Sequence, residues 1–410
     1  MFYNAAMKNS TSTAKNAWIL ITDGTNVFDT EVRTGAMQLA KELGFSHIRL
    51  VNEEELEAHY LDSKLFASGR VGVISHAHFP SILKAIRHHR IPAVLLGEES
   101  VTEWRKAIGG PVTVCSVDNR GIGQMAADYF FEQGRFASFA FADVAPSPFT
   151  SWWSDPRYTA FRKTLEEHGF TGEVPRIAVN LAAPNEDARR FADFIRKLPR
   201  PSAVFCCNDR IARDVFNFCE DARLHIPDDV AVLGVDNEAE VCESTPTGIS
   251  SIKVEHIRLG RTAFRSLLHQ LEGEPARNQD ILCPPIRVIE RGSTRRSTPT
   301  DRFVSKAVDY IASARLDALN AKSVIAASGA SRSYLTKRFR NETGRTILEA
   351  IHLRFMNEVK RALSETDKPI ALIAEETGFS SASGLCSLFH RKFGISMSAF
   401  RDQMRMKRVI

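Results

Sequence analysis

The chain has 410 residues, 43% of them hydrophobic, with 54 Lys and Arg against 49 Asp and Glu. That length holds two or three domains with ordinary cores, and its charge is divided unevenly: residues 302–410 carry 19 Lys and Arg against 10 Asp and Glu, so residues 1–301 carry a net −4. No apolar run reaches the roughly 18 residues of a spanning helix, and the Ser/Thr-rich residues 1–15 hold no apolar core before a cleavage site, which sets a membrane or secreted protein aside and makes a cytoplasmic one the expectation.

In chain order, residues 1–16 read as a polar, flexible start. Short apolar runs then alternate with helical stretches. Strands are predicted at 17–22, 47–51, 71–75, 93–97, 112–117, 136–142, 203–207, 230–235 and 286–290, and helices at 31–43, 81–89, 123–133, 156–168, 186–198, 211–222 and 257–271. Such alternation predicts parallel sheets covered by crossover helices, and nine strands suit two lobes better than one sheet. The seven cysteines lie mostly in apolar runs such as Val204-Phe205-Cys206-Cys207, without zinc spacing, so reduced core cysteines are expected and neither metal nor cofactor is implied.

Within this body, Gly121-Ile-Gly123-Gln-Met-Ala126 fits G-x-G-x-x-A between a strand and a helix, and Asp143 follows about twenty residues on, so an α/β enzyme using a nucleotide or a sugar, with a regulatory tail, is the alternative reading. Two features weaken it. Asp118, Asn119 and Arg120 separate the strand from the first glycine, and a carboxylate there would face the phosphates. No nucleophile elbow, P-loop or paired catalytic histidine stands at usable spacing.

Residues 292–301 are polar, basic and aperiodic and read as a linker, with Asp301 or Thr300 capping a helix at 302–314. In residues 302–410, Leu335, Phe339 and Gly344 recur fifty positions later as Leu385, Phe389 and Gly394. Positions four apart share a helix face, so Leu and Phe form a buried stripe and the Gly marks the stop. A shorter helix and a Gly precede each copy, at 322–328 with Gly329 and at 370–377 with Gly378, which is the helix-turn-helix pattern. Helical hairpins often only pack, but the basic charge of this segment favours double-stranded DNA as partner.

The segment Ile370-Ala-Leu-Ile-Ala-Glu-Glu-Thr-Gly-Phe-Ser-Ser381, running on to Phe389, Phe393, Gly394 and Phe400-Arg401, resembles the signature of AraC-type transcription regulators. The resemblance implies two helix-turn-helix units joined by a long helix at 346–364, reading successive major grooves about 34 Å apart. With Leu335 and Phe339 inward, Ser333, Thr336, Lys337 and Arg340 face outward, with Arg332 ahead of them. The second set is Ser383, Cys386, Ser387 and His390, with Arg391 and Lys392 directed to the backbone. Lys337 suits guanine O6/N7 and Arg340 or Arg338 a phosphate, so the first reader is expected to specify and the second mostly to position.

Asp118-Asn119 with Gly123 and Ala127, Arg157 ahead of Ala160-Phe161, Cys207-Asn208-Asp209 with Ala212, and Ile226-Pro-Asp-Asp-Val-Ala-Val-Leu-Gly-Val-Asp-Asn237 together resemble the sensing core of LacI-type repressors and periplasmic sugar-binding proteins. The match covers about residues 17–292. The two resemblances imply the fold class: a two-lobed, periplasmic-binding-protein-like α/β domain with parallel sheets over 17–291, followed by an all-α double helix-turn-helix domain over 302–410. They imply a transcription regulator that works as a homodimer on promoter DNA, takes a small sugar effector such as a pentose, and touches RNA polymerase.

A sugar cleft needs carboxylates, an amide and an Arg at strand ends, with an aromatic face for the C–H side, and ligands sit at the carboxyl ends of parallel strands. The family pattern carries over Arg157, Asn208 and Asp236 first. Phe28 and Asp29 are added from the opposite lobe, Asp118 and Asp209 from strand ends, and Trp152, beside Trp153, for stacking. Asp29, Asp118 and Asp209 read equally well as helix caps. Asp236 favours a ligand, because Asn237 and Glu238 crowd it with acceptors that a packed interior would not satisfy.

Overall fold

A computed structural model describes residues 17–22, 27–52, 71–76, 80–97, 101–133, 136–145, 151–179, 184–295, 301–343, 346–379, 381–393 and 396–402. Two six-stranded sheets make the body. The first holds β1 (Trp18–Thr22), β2 (Ile48–Val51), β3 (Val71–His76), β4 (Ala93–Leu96), β5 (Thr113–Val117) and, from far along the chain, β11 (Gln279–Cys283), in the order β11-β5-β4-β3-β1-β2. The second holds β6 (Ser138–Val144), β7 (Arg176–Val179), β8 (Ser202–Cys206), β9 (Val230–Val235), β10 (Ser250–Lys253) and β12 (Arg287–Ile289), in the order β12-β10-β9-β8-β6-β7. All pairings are parallel except β10 with β12.

Crossover helices cover the sheets. The first lobe has α1 (Val27–Glu42), α2 (Pro80–His89) and α3 (Val101–Ile108); the second has α4 (Asn119–Gln133), α5 (Ser151–Glu167), α6 (Pro184–Lys197), α7 (Asp209–Asp221) and α8 (Ala239–Cys242). After β10 the chain returns to the first lobe as α9 (His256–Leu271). It therefore passes between lobes three times, after β5, β10 and β11. The crossings lie side by side: the Asp118 N–H donates to Cys283 O at 2.8 Å and the Ile286 N–H to Lys253 O at 2.9 Å. The three crossings thus run side by side in alternating directions and join the lobes along one edge.

The nine expected strands all form. Those missed, β7, β10 and β11, lack a long apolar run. In β10 two of the three buried residues are serines: Ser250 and Ser251 are fully buried beside Ile252, and the Ser250 hydroxyl donates to Arg291 O at 3.0 Å, so polarity in the sequence hid a central strand.

Helices α1 and α9 pack backbone to backbone. A Cβ on Gly35 would stand 1.9 Å from Ile257 O, and one on Gly260 would stand 1.9 Å from Val32 O. Backbone cannot yield as a side-chain tip can, so Gly35→Ala or Gly260→Ala is expected to destabilise the protein by about 1–3 kcal/mol or more, read as a lower midpoint in urea with an unchanged slope.

The expected linker begins later than its sequence suggested. Ser293 and Thr294 are buried in the second lobe, where the Ser293 hydroxyl donates to Val232 O at 2.6 Å and accepts the Ser250 N–H at 2.8 Å. Serine and threonine looked like loop residues, but their hydroxyls complete the lobe's backbone hydrogen bonding. Residues 296–300 lie outside the described residues, as do 1–16.

The tail is helical: α10 (Arg302–Ser313), a 3-10 turn (Leu316–Ala318), α11 (Ala321–Ser328), α12 (Arg332–Thr343), α13 (Ile347–Glu365), α14 (Ile370–Glu376) and α15 (Ala382–Phe393). Asp301 caps α10, accepting from Phe303 and Val304 N–H. Two separate small cores flank α13. Ile347 and Ile351 join Val304, Leu335 and Phe339, whereas Met356, Val359 and Leu363 join Ile373, Leu385 and Phe389. No described helix is long and apolar enough to cross a membrane.

Candidate ligand cleft and nucleic-acid interface

Polar side chains from both lobes meet at the carboxyl ends of the strands. Phe28 and Asp29 open α1 just past β1. Asp29 Oδ1 pairs with Nε2 of His76, the last residue of β3. The Phe28 ring lies 5.8 Å from His76 and meets the His256 ring edge-on at 5.3 Å. His256 is the first residue of α9, directly after the second crossing. It is 1% exposed, with Nε2 3.6 Å from Asp236 Oδ1 and Nδ1 3.3 Å from Glu31 Oε2, and its Nδ1 makes no hydrogen bond among the described residues. Phe28 and Asp29 of one lobe and Asp236 of the other are thus gathered around two histidines that the sequence reading missed. The one positional signal was at His76, which ends a strand; His256 follows β10, a strand that the sequence hid.

Asp236 sits under backbone strain. Its φ is +98° and that of Asn237 is +56°, conformations that cost non-glycine residues on the order of 1–3 kcal/mol each and persist only when the surroundings impose them. Three bonds do so: Asp236 N–H to Ile252 O at 2.9 Å, Asn237 N–H to Ser251 Oγ at 2.9 Å and Glu238 N–H to Asp209 Oδ2 at 2.7 Å. Asp209 is buried at the start of α7 beneath this loop. Burial, and then the charge of Asp236, push its carboxyl up to about 8.

Asp209 therefore holds a proton in the folded state that the unfolded chain releases near pH 4. Its contribution to stability is complete below that pH and lost as pH rises through about 8. Asp209→Asn is expected to remove this component, so that the fall in melting temperature between pH 5 and pH 9 is smaller in the variant.

The other expected ligand residues have internal partners. Asn208 Oδ1 accepts from Ile211 N–H at 2.9 Å as the cap of α7, and Asp118 Oδ1 accepts from Gly121 N–H at 2.8 Å at the start of α4. Arg157 is 5% exposed; its Nε donates to Asn119 Oδ1 at 2.7 Å, its Nη1 to Cys207 O, and its guanidinium lies over Trp153 at 4.9 Å. It ties α5 to α4 and to the end of β8. Trp152 packs against the first-lobe core.

The nucleotide alternative is overturned at the same place. A Cβ on Gly121 would stand 2.4 Å from the Asp118 carboxylate, where a pyrophosphate would need open space, and Gly123 lets α5 approach, with Arg157 O 2.2 Å from its would-be Cβ. Asp143 is held by Arg176 and by the Ser154 hydroxyl at 2.5 Å. Gly123 serves helix packing, and Gly121 leaves room for the Asp118 carboxylate that caps α4.

In the tail, Gly329 and Gly378 take φ of +74° and +77° and turn the chain between the helices of each unit. Leu335, Phe339, Leu385 and Phe389 are buried. Arg332, Ser333, Thr336, Lys337 and Arg340 are exposed along α12, and Ser383, Ser387 and His390 along α15. Two expectations are corrected. Cys386 is half-buried and points its thiol at Met397 Sδ, 3.8 Å away, because position 386 stands three before Phe389 and shares the buried stripe. Arg338 pairs with Glu342 at 3.0 Å and Asp301 at 3.5 Å, bracing the cap of α10. Tyr334, not expected, is exposed and donates to Asp301 Oδ2 at 2.6 Å. Gly344 and Gly394 lie outside the described residues, as do the side chains of Arg391 and Lys392.

A two-lobed body that gathers polar groups between its lobes, followed by two helix-turn-helix units, defines a sugar-responsive DNA-binding transcription regulator, not an enzyme. Residues 127–294 match the family described as periplasmic binding protein-like domain, and residues 324–403 match a helix-turn-helix domain. The chain belongs to the family of xylose operon regulatory proteins. It is 30% identical to the Escherichia coli (strain K12) member over 294 residues, 71% of this chain and 74% of that one. It is 27% identical to the Haemophilus influenzae member over 333 residues, 80% of this chain and 84% of that one. The solved xylose-binding transcription activator xylR superposes with a TM-score of 0.57 at 25% identity, covering 94% of this chain and 97% of that structure.

Proposed function

We propose that the protein senses xylose or a closely similar pentose in the cleft between its lobes and regulates a catabolic operon by placing its two readers on promoter DNA. The observation that carries this is the pair of carboxylates, Asp29 and Asp236, presented from opposite lobes beside the Phe28 ring. A pentose offers hydroxyls to the acids and a C–H face to the ring. Arg157, Asn208, Asp118, Asp209 and Trp152 support the floor and rim. Ligand closes the lobes about the three crossings, and closure changes how the tails are presented. The working unit is a cytoplasmic homodimer, whose paired tails meet repeated half-sites, with RNA polymerase as the downstream partner. Ser333, Thr336, Lys337 and Arg340 read bases and phosphates in one groove. Ser383, Ser387, His390 and Arg391 engage the next.

Support for the sugar class comes from relatives named for xylose. Thermal unfolding of the full chain against pentoses, hexoses and uronic acids tests it, because a ligand of the native state raises stability by RT ln(1 + [L]/Kd). A shift with xylose is expected. Silence from every sugar would overturn the effector class.

A further inference from the structure

Arg291 stands two residues past β12 and just before the segment that leads to the readers. Its guanidinium gathers three acceptors: Glu243 Oε1 at 2.6 Å, Ile249 O at 3.0 Å and the side-chain Oδ1 of Asn237 at 3.0 Å. Its own N–H donates to Ser250 Oγ at 2.7 Å. Space is kept for it by Gly248, where a Cβ would stand 2.9 Å from Arg291 Cδ. Asn237 is the second strained residue of the loop that presents Asp236. One side chain therefore holds both the ligand loop and the base of the tether.

We propose that Arg291 is the positioning residue that couples ligand to DNA: by fixing Asn237 it ties the placement of Asp236 to the point from which the readers hang. The inference rests on the sugar reading given above. Two neighbouring residues in the positive-φ region are a natural two-state element, because release of either lets the loop relax. Closure that pulls on Asp236 is carried through the Asn237 amide to Arg291. From there it reaches Thr294, whose hydroxyl bonds Ser250 Oγ and the Tyr129 hydroxyl, each at 2.6 Å. Tyr129 lies on α4, and Glu132, one turn on, meets Lys360 of α13 at 3.4 Å. The long helix between the two readers is thus touched by the same helix that grips the tether. A charged donor on a neutral amide holds firmly in a part-buried setting, and an equilibrium shifts only by the difference in ligand affinity for its two states.

The test uses full-length protein, xylose, and a labelled duplex that the unmodified protein selects from a random-sequence pool. DNA affinity is measured by anisotropy with and without xylose, and melting temperature in parallel. For the unmodified protein the ratio of the two DNA dissociation constants is expected to differ from 1 by roughly 5- to 150-fold. In Arg291→Gln the xylose shift in melting temperature persists while the ratio collapses to 1. Asn237→Ala also loses the ratio and decides the matter if Arg291→Gln does not fold. Asn237→Asp, which keeps an acceptor for Arg291, retains it. A full ratio in Arg291→Gln or Asn237→Ala overturns the coupling role and leaves the sugar reading intact. Absence of both shift and ratio in the unmodified protein overturns the sugar reading and this inference with it.

Discussion

Asp236→Asn is expected to erase about half or more of the stabilisation that xylose gives. At a sugar concentration near 100 times Kd the unmodified protein gains about 2.7 kcal/mol, which for a domain of this size is roughly 5–10 °C in melting temperature. A hydrogen bond to a charged group is worth about 1.5–3 kcal/mol, so its loss weakens binding roughly 10- to 150-fold and leaves about 0.3–1.4 kcal/mol at the same concentration. Asparagine tolerates positive φ at least as well as aspartate, so the loop at φ +98° is preserved. The charge of Asp236 is also part of what raises the Asp209 carboxyl. Removing it relieves that repulsion, and the sugar-free variant should be no less stable than its parent near pH 8. Ligand response and basal stability are thus expected to move apart, which a simple folding defect cannot produce. A variant that keeps the whole xylose shift would remove Asp236 from the site.

The body was legible in the sequence because β-strands buried on both faces are continuous apolar runs, as in Val230-Ala-Val-Leu-Gly-Val235. β10 was not, since two of its three buried residues are serines, and the partners of Ser250, Arg291 and Ser293, come from forty residues away. The repeat of Leu335 and Phe339 at Leu385 and Phe389 exposed the tail's architecture, because a helix face has a fixed period. Site residues were less legible for one physical reason. A carboxylate or amide after a strand serves equally as a cap or as a ligand group, and residue type cannot separate the two. Asn208 and Asp118 each accept a helix-cap hydrogen bond, and Asp236 stands at a positive φ, which no sequence pattern encodes. His76 and His256 were missed because lone histidines carry no spacing signal.

Phe389→Ala is expected to abolish one reader and spare everything else. Its ring is fully buried and meets Phe400 at 5.5 Å, within a core that shares no residue with that around Phe339. Deleting a buried Phe costs about 3–5 kcal/mol, more than so small a core can absorb when net stabilities are themselves only about 5–15 kcal/mol for whole domains. The second unit should therefore melt while the first stays folded around the amino-terminal half of α13. Each phosphate contact contributes about 0.9 to the slope of log affinity against log salt, so losing the second unit should reduce that slope markedly, with a fall in affinity at every sequence. Lys337→Ala supplies the contrast. Its side chain is exposed on α12, the fold is untouched, and about 1–3 kcal/mol of discrimination should vanish at one base pair with a slope lowered by at most about one contact. The xylose-induced thermal shift, which belongs to the body, should survive in both variants. If Phe389→Ala retained the parent's salt slope, the second unit would not be a phosphate-binding reader, and the first would bear the whole of recognition.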